Sequence, residues 1–201
     1  MLSDDLEFAE QYLLEGEDSH GARDCLIPAA TRPSEADGVT VPLDAESAVA
    51  VGHSVEELQG IFDALFAEDY RTRLVRGDDE PWYLPASGDD DCHQVVFAHG
   101  YFSSALHEVA HWCIAGTRRR TEVDYGYWYV PDGRSAEQQA IFEQVEVKPQ
   151  AIEWILSRAS GQRFRPSYDN LAMPEADDSA FRAALLNQVW HYCEQGLPER
   201  A

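Results

Sequence analysis

Two histidines stand four residues apart in the stretch SSALHEVAHWCIAG, which covers residues 103–116. Side chains at this spacing share one face of an α-helix. The rest of the stretch is apolar on nearly every side of that helix, so the helix is expected to lie buried among other elements of the fold. Buried imidazole rings need polar partners. The stretch therefore predicts a central helix on which His107 and His111 share one partner.

A metal ion is the partner that this pattern predicts. His107 and His111 can each direct a ring nitrogen at the same cation, because their β-carbons lie only about 5 to 6 Å apart on a helix. Glu108 follows the first histidine directly, so the five residues read H-E-x-x-H. In that motif the glutamate stands close to a water molecule or substrate on the ion. We therefore expect a metal site at His107 and His111, with Glu108 as its catalytic residue.

A third ligand is expected from a later helix, where Glu143, Glu146 and Glu153 are the candidates. Gln150 and Glu153 continue the helical stripe that begins at Glu146, and the alternative interpretation of this stripe is a solvated face. Against that interpretation, Glu146 has apolar neighbours such as Val145, where an unpaired carboxylate would be energetically costly. We predict Glu146 as the third metal ligand, with Glu143 as the second choice.

The ligand set of two histidines and one carboxylate admits two chemistries. With zinc, a bound water and Glu108 as general base, such a site hydrolyses amides, as in a metallopeptidase. With iron(II) and open coordination positions, the same ligands activate oxygen. A third interpretation is a binding module with a structural zinc, which would need a fourth protein ligand such as Cys113 or His99. The ligand spacing does not choose among these.

Hydrophobic periodicity predicts several helices and short strands, and the chain length favours one compact domain. Apolar residues at helical spacing mark three segments besides the histidine helix, and Pro149 either kinks the second of them or divides it. Apolar or alternating runs mark two strands. The helices are predicted within 53–70, 135–160 and 178–195, and the strands at 95–97 and 123–130.

The first fifty residues differ from the rest of the chain in charge. They hold twelve acidic and two basic side chains, so they contribute −10 of the formal net charge of −22. Their middle part contains several prolines and shows no sustained helical or strand period. We therefore expect residues 1–52 to form an acidic, weakly structured extension, and residues 53–201 to form the metal-binding domain.

Charge and hydropathy disfavour several classes of function. A formal net charge of −22 repels nucleic acid backbones, so direct binding to DNA or RNA is not expected. No apolar run approaches the roughly 20 residues that span a bilayer, and the acidic N-terminus differs from a signal peptide. Four scattered cysteines without a C-x-x-C pair indicate reduced thiols. The sequence thus predicts a cytoplasmic protein with no membrane partner.

Four blocks of the sequence, taken in order, resemble the elongation factor P hydroxylases of bacteria. The blocks are FAEDYRTRLVRGDDEPWYLPA, VVFAHGYFSSALHEVAHWCIAG, VDYGYWYVPDGRS and FEQVEVKPQAIEWI. The resemblance runs from about His53 to near Pro198. Four long blocks in the same order are far more specific than H-E-x-x-H alone. The acidic residues before His53 depart from the family pattern.

The resemblance implies a non-haem metal enzyme that uses iron(II) and hydroxylates a modified lysine of elongation factor P, after a β-lysyl group has been attached to it. It also implies an α+β fold unlike the double-stranded β-helix of common oxygenases, and we expect a single compact domain in which a small mixed sheet packs against helices. Carried over residue by residue, its two-histidine, one-carboxylate site would consist of His107, His111 and Glu146. Elongation factor P is thereby expected as the protein substrate.

Overall fold

Helices and one small sheet alternate along the part of the chain that the computed structural model describes, which comprises residues 53–88, 91–126, 134–168 and 178–201. The α-helices there are α1 (Val55–Phe66), α2 (Phe102–Ile114), α3 (Ala136–Ala159) and α4 (Ser179–Gln195), and the strands are β1 (Thr72–Arg76), β2 (Trp82–Leu84) and β3 (His93–Phe97). Two short 3-10 helices, Arg119–Thr121 and Val123–Gly126, follow α2. The predicted acidic extension, 1–52, lies outside the described residues.

The strands form a mixed sheet in the order β1-β3-β2. β1 runs parallel to β3 with Leu74 opposite Val95, and β2 runs antiparallel to β3 with Tyr83 opposite Val95. Paired residues share a face of the sheet, and all three are almost fully buried, so this face belongs to the core. Helices together with this small mixed sheet confirm the predicted α+β class.

α2 lies at the centre of the described fold, where it contacts α1, α3 and β3. Its apolar side chains from Ala105 to Ile114 are buried, and Ala105 and Trp112 have no exposed surface. The Trp112 ring packs against Phe62, Phe66 and Tyr70, with centroid distances of 5.1, 4.7 and 5.5 Å. The prediction of a buried histidine helix is therefore confirmed. Among the described residues, no helix has the length and apolarity that crossing a membrane would require.

The chain enters α2 through two residues with left-handed backbone conformations. His99 and Gly100 have φ values of 55° and 68°. A β-carbon at Gly100 would lie 2.5 Å from the Arg76 guanidinium. The exposed Arg76 side chain can move aside, so glycine is favoured here mainly because it adopts the left-handed conformation without strain. The chain thus turns tightly between β3 and the histidine helix, which contact each other.

The C-terminal end of α2 is closed by a side chain from the far end of the described chain. The Arg200 guanidinium donates hydrogen bonds of 3.1, 3.0 and 2.6 Å to the carbonyl oxygens of Trp112, Cys113 and Ala115. The last carbonyls of a helix have no partner within it, and they carry its negative dipole end. One cation thus provides both the donors and the charge that this helix end requires.

The predicted strand at 123–130 is wrong over Val123–Gly126, a short turn segment kinked at the non-helical residues Asp124 and Tyr125. Asp124 and Tyr125 there have φ values of 48° and 57°, which no strand contains. The Asp124 carboxylate accepts a 2.7 Å hydrogen bond from the Tyr83 backbone N–H, and the Tyr125 ring stacks on Tyr83 at 4.3 Å. These contacts with β2 override the alternation of the sequence. Residues 127–130 lie outside the described part of the chain.

α3 runs through Pro149 as one helix of 24 residues. Ser135 begins it with a capping box, in which the Ser135 hydroxyl accepts from the Gln138 backbone N–H and the Gln138 side chain accepts from the Ser135 N–H. Pro149 has no N–H, so the carbonyl of Val145 receives no helical hydrogen bond from it. α3 packs between α2 and α4, and the middle of its buried face is opposite the histidines.

Candidate metal centre

The two imidazoles of α2 meet at their Nε2 atoms. His107 and His111 are one helical turn apart, and their Nε2 atoms lie 3.1 Å from each other. Their side chains are 26% and 16% exposed, so the rings are largely buried but retain some contact with solvent. The predicted pair is therefore present in the fold, with both Nε2 atoms turned toward the same point.

Glu146 of α3 supplies the carboxylate that completes this group. Its Oε1 lies 3.3 Å from His111 Nε2, and its Oε2 lies 3.6 Å from His107 Nε2. The residue is only 3% exposed. Within the described part of the chain, His107, His111 and Glu146 form the group that could hold a metal ion, with all donor atoms within 4.8 Å of one another. That they bind an ion stays a prediction.

Glu143, the second choice for the third ligand, has a different partner. Its carboxylate accepts a 3.1 Å hydrogen bond from Gln139, whose side chain also donates to the Tyr168 carbonyl and accepts from Arg134. Glu143 lies one turn before Glu146 on α3 but does not belong to the three-residue group. The structure thus brings Glu146, and not Glu143, to the histidine pair.

A buried amide holds the Glu146 carboxylate in place. Gln150, which is 1% exposed, donates a 3.2 Å hydrogen bond to Glu146 Oε2. Its own orientation is fixed by Ser167, whose carbonyl accepts from the Gln150 amide at 2.8 Å and whose N–H donates to the Gln150 carbonyl at 3.0 Å. The carboxylate is therefore aimed by a side chain that is itself anchored to the backbone of the segment after α3.

A second glutamate of α3 contacts the opposite side of the His107 ring. Glu153 Oε2 lies 2.9 Å from His107 Nδ1, and Glu153 is 8% exposed. Glu146 and Glu153 are seven residues apart, two helical turns, so they share one face of α3. His107 is consequently placed between two carboxylates, one at each ring nitrogen.

The charges in this group raise the pKa of His107 and lower the pKa of Glu146. Burial disfavours the charged form of His107, yet the hydrogen bond of Glu153 and the charges of Glu146, Glu153 and Glu108 raise its pKa to about 10. Burial would raise the pKa of Glu146, but the charge and hydrogen bond of His111, followed by the charge of His107, lower it to about 2. The site is therefore built to hold positive charge beside a carboxylate.

The donor atoms fit a divalent first-row metal ion. Imidazole nitrogens and carboxylate oxygens bind such ions at about 2.0 to 2.2 Å, which places neighbouring ligand atoms about 3.0 to 3.5 Å apart. The three donor separations, 3.1, 3.3 and 3.6 Å, lie within or close to that range. The combination of two imidazoles and one carboxylate suits both iron(II) and zinc.

Comparisons with known proteins agree on one family. The family model of the elongation factor P hydroxylases matches residues 61–201. The chain belongs to the elongation factor P hydroxylase family. It is 53% identical over 149 residues to a Haemophilus influenzae protein named elongation factor P lysine hydroxylase, an alignment that covers 74% of this chain and 84% of that protein. Neither match supports the metallopeptidase alternative.

In this member of the hydroxylase family, Glu108 lies half-buried on α2 next to His107. Burial raises the pKa of Glu108, the charges of His107 and His111 lower it, and the carboxylates of Glu146 and Asp124 raise it further. Glu108 is thus within electrostatic reach of the whole group. Its catalytic role stays a prediction.

The structure gives no fourth ligand to the three-residue group among the described residues of this hydroxylase. The Cys113 thiol is buried and donates a 3.0 Å hydrogen bond to the Arg200 carbonyl, and burial raises its pKa to about 12. His99 lies in the left-handed turn before α2, with its ring tilted against Tyr101 at 5.8 Å. The two candidates for a closed structural zinc site therefore have other contacts.

Sequence reasoning did not identify the contacts that Gln150 and Glu153 make. The helical stripe of Glu146, Gln150 and Glu153 was the available signal, since spacings of four and seven residues keep all three on one face. The stripe cannot reveal which of these side chains contacts a histidine and which contacts another side chain of the stripe. The fold assigns Glu146 to both Nε2 atoms, Gln150 to Glu146, and Glu153 to His107 Nδ1.

Proposed function

We propose that this chain hydroxylates the modified, β-lysylated lysine side chain of elongation factor P with a non-haem metal centre. The observation that carries the proposal is the 53% identity with the Haemophilus influenzae elongation factor P lysine hydroxylase, across 84% of that protein. At this identity, and with most of both chains aligned, the two proteins are expected to share their reaction. Elongation factor P is therefore the proposed protein substrate.

The proposed metal centre consists of His107, His111 and Glu146, with iron(II) as the metal and zinc as the alternative. When bound, iron(II) with open coordination positions supplies oxygen activation. The convergence of the three donor atoms at 3.1 to 3.6 Å supports this assignment. Two histidines and one carboxylate also leave coordination positions for ligands from outside the chain, which an oxidation requires.

Glu108 is the proposed catalytic residue. The substrate loses a C–H bond and gains a C–OH group, and with dioxygen as oxidant the second oxygen atom leaves as water after taking up two electrons from an external reductant. Protons must therefore be delivered at the site. A half-buried carboxyl with a raised pKa, one residue from His107, is suited to hold and deliver a proton there.

Residues 53–201 are the proposed hydroxylase domain, and residues 1–52 a proposed acidic extension of it. The cytoplasm is the proposed location, because elongation factor P works in translation. The formal net charge of −22 disfavours direct contact with nucleic acid, so the protein substrate is proposed to be met away from RNA.

The test is an intact-mass measurement on β-lysylated elongation factor P after incubation with the protein, dioxygen and a reductant. Iron(II) should produce a mass increase of one oxygen atom, and the same incubation without metal should not. Glu146→Ala should abolish the increase, whereas Glu143→Ala on the same helix should retain it. A substrate unchanged with every metal tested would refute the reaction, and loss of activity in Glu143→Ala alone would refute the ligand assignment.

A further inference from the structure

Glu153 has the geometry of a residue that acts on a metal ligand without being one. Its Oε2 lies 2.9 Å from Nδ1 of His107, while the Nε2 atom of the same ring faces His111 and Glu146. Nδ1 and Nε2 are on opposite sides of the imidazole, so a carboxylate at Nδ1 cannot share an ion with donors at Nε2. This explains why Glu153 does not belong to the three-residue group.

The chemistry of the two groups decides where the ring proton lies. An ionised carboxylate accepts hydrogen bonds and cannot donate one. In the pair between Glu153 and His107, Nδ1 must therefore carry the hydrogen. The lone pair of a neutral His107 ring is then on Nε2, the atom that lies 3.1 Å from His111 Nε2 and 3.6 Å from Glu146. The contact selects the tautomer that can bind an ion at the group.

Burial makes this contact specific. Glu153 is 8% exposed and lies on the inner face of α3, directly preceded by Ala151 and Ile152, which are fully buried. A carboxylate in such a position is costly unless it is paired, and a hydrogen bond from a ring N–H to an ionised carboxylate is strengthened by the charge. The rigid helix brings Glu146 and Glu153 to opposite edges of the one ring. α3 thus supplies both a ligand and an orienting group.

We infer that Glu153 is a positioning residue that fixes His107 in the tautomer and ring orientation needed for metal binding through Nε2. The inference rests on the metal site of the proposed function. Carboxylates that accept a hydrogen bond from a ligating histidine also increase the basicity of the ring, and their loss lowers metal affinity by about 10- to 100-fold.

The experiment compares metal affinity by chelator competition in the full chain, using zinc(II) and iron(II) as probes. Glu153→Gln removes the charge and can present either an N–H or a carbonyl to Nδ1, so its affinity should fall about 10- to 100-fold. Glu143→Gln makes the same change of charge on the same helix, away from the ring, and should stay within about two-fold of wild type. Glu153→Asp keeps the charge and should give an intermediate affinity.

A second readout follows the nitrogen atoms directly. In zinc(II)-loaded protein with ¹⁵N-labelled histidine, the NMR spectrum of wild type should show His107 protonated at Nδ1 and bound through Nε2. Binding through Nδ1 would overturn the inference even if Glu153→Gln failed to fold. So would an unchanged affinity of Glu153→Gln, or an equal loss in Glu143→Gln. Failure of the wild type itself to bind either metal would instead reject the proposed metal site, and this inference with it.

Discussion

The metal-free protein should lose stability as the pH rises above neutrality, and His107 should be a main cause. The pKa of this ring is 6.5 in its reference state and about 10 in the fold. A group with a raised pKa stabilises the fold fully below its unfolded pKa, and the contribution is lost as the pH rises through the folded value. Glu146 has the opposite sign, because its pKa falls from 4.5 to about 2, so its contribution is lost on acidification. The site is therefore most stabilising between about pH 4.5 and 6.5.

The size of the effect follows from the proton that the fold retains. Between pH 6.5 and about pH 9, the folded protein keeps a proton on His107 that the unfolded chain releases. Each pH unit in that window changes the free energy of unfolding by about 1.4 kcal/mol. This one ring should thus account for a loss of about 3 kcal/mol. The contribution of Glu146 is not added to this figure, because both shifts contain the same attraction.

Urea unfolding in the presence of a chelator measures the effect. The free energy of unfolding of wild type should approach that of His107→Gln as the pH rises, and the gap between them should shrink by about 3 kcal/mol from pH 6.5 to about pH 9. Glu146→Gln should show a smaller pH dependence than wild type, because only Glu153 and Glu108 then raise the His107 pKa. A gap that changes by less than about 1 kcal/mol would refute the reasoning that the carboxylates stabilise a charged ring.

Three further predictions concern the surroundings of the site. Gln150→Ala should lower the free energy of unfolding by about 1 to 3 kcal/mol and weaken zinc binding, because Glu146 loses its anchor; chemical denaturation and chelator competition measure both. Cys113 should resist iodoacetamide in the folded protein, because its buried thiol has a pKa of about 12 and stays protonated; peptide mapping before and after unfolding checks this. Gly100→Ala should destabilise the fold by about 1 kcal/mol, because φ is 68° there and an L-residue is strained in that conformation. An unchanged melting temperature would contradict this account.

The sequence predicted the histidine helix well because its signals are local. The spacing of His107 and His111 and the apolar residues between them act within one helical segment, and burial of α2 agrees with them. Glu146 was preferred over Glu143 for its apolar neighbours, and the fold places that carboxylate at the histidines. Where the neighbours of a residue in sequence already indicate whether it is buried, its place in the fold can be predicted from the sequence alone.

The predictions that did not hold depend on distant contacts. The strand expected at 123–130 follows the alternation rule, but Asp124 bonds to the backbone of Tyr83, which is 41 residues away in sequence. Cys113 could be named as a metal ligand only because nothing local reveals that the Arg200 carbonyl, 87 residues later, accepts from its thiol. β1 was also difficult to recognise, since arginines begin, end and interrupt the short segment RTRLVR. Contacts between residues this far apart in the chain produce no periodic pattern in the sequence.

The closure of α2 by Arg200 sets an order of events during protein synthesis. Ala115, whose carbonyl accepts a hydrogen bond from Arg200, is synthesised 85 residues before that arginine. Glu146, on α3, also follows both histidines along the chain. A nascent chain therefore exposes its two imidazoles before it has the carboxylate that completes the group or the cation that closes their helix. Complete coordination by the three proposed ligands is therefore possible only after α3 has been made, well after both histidines.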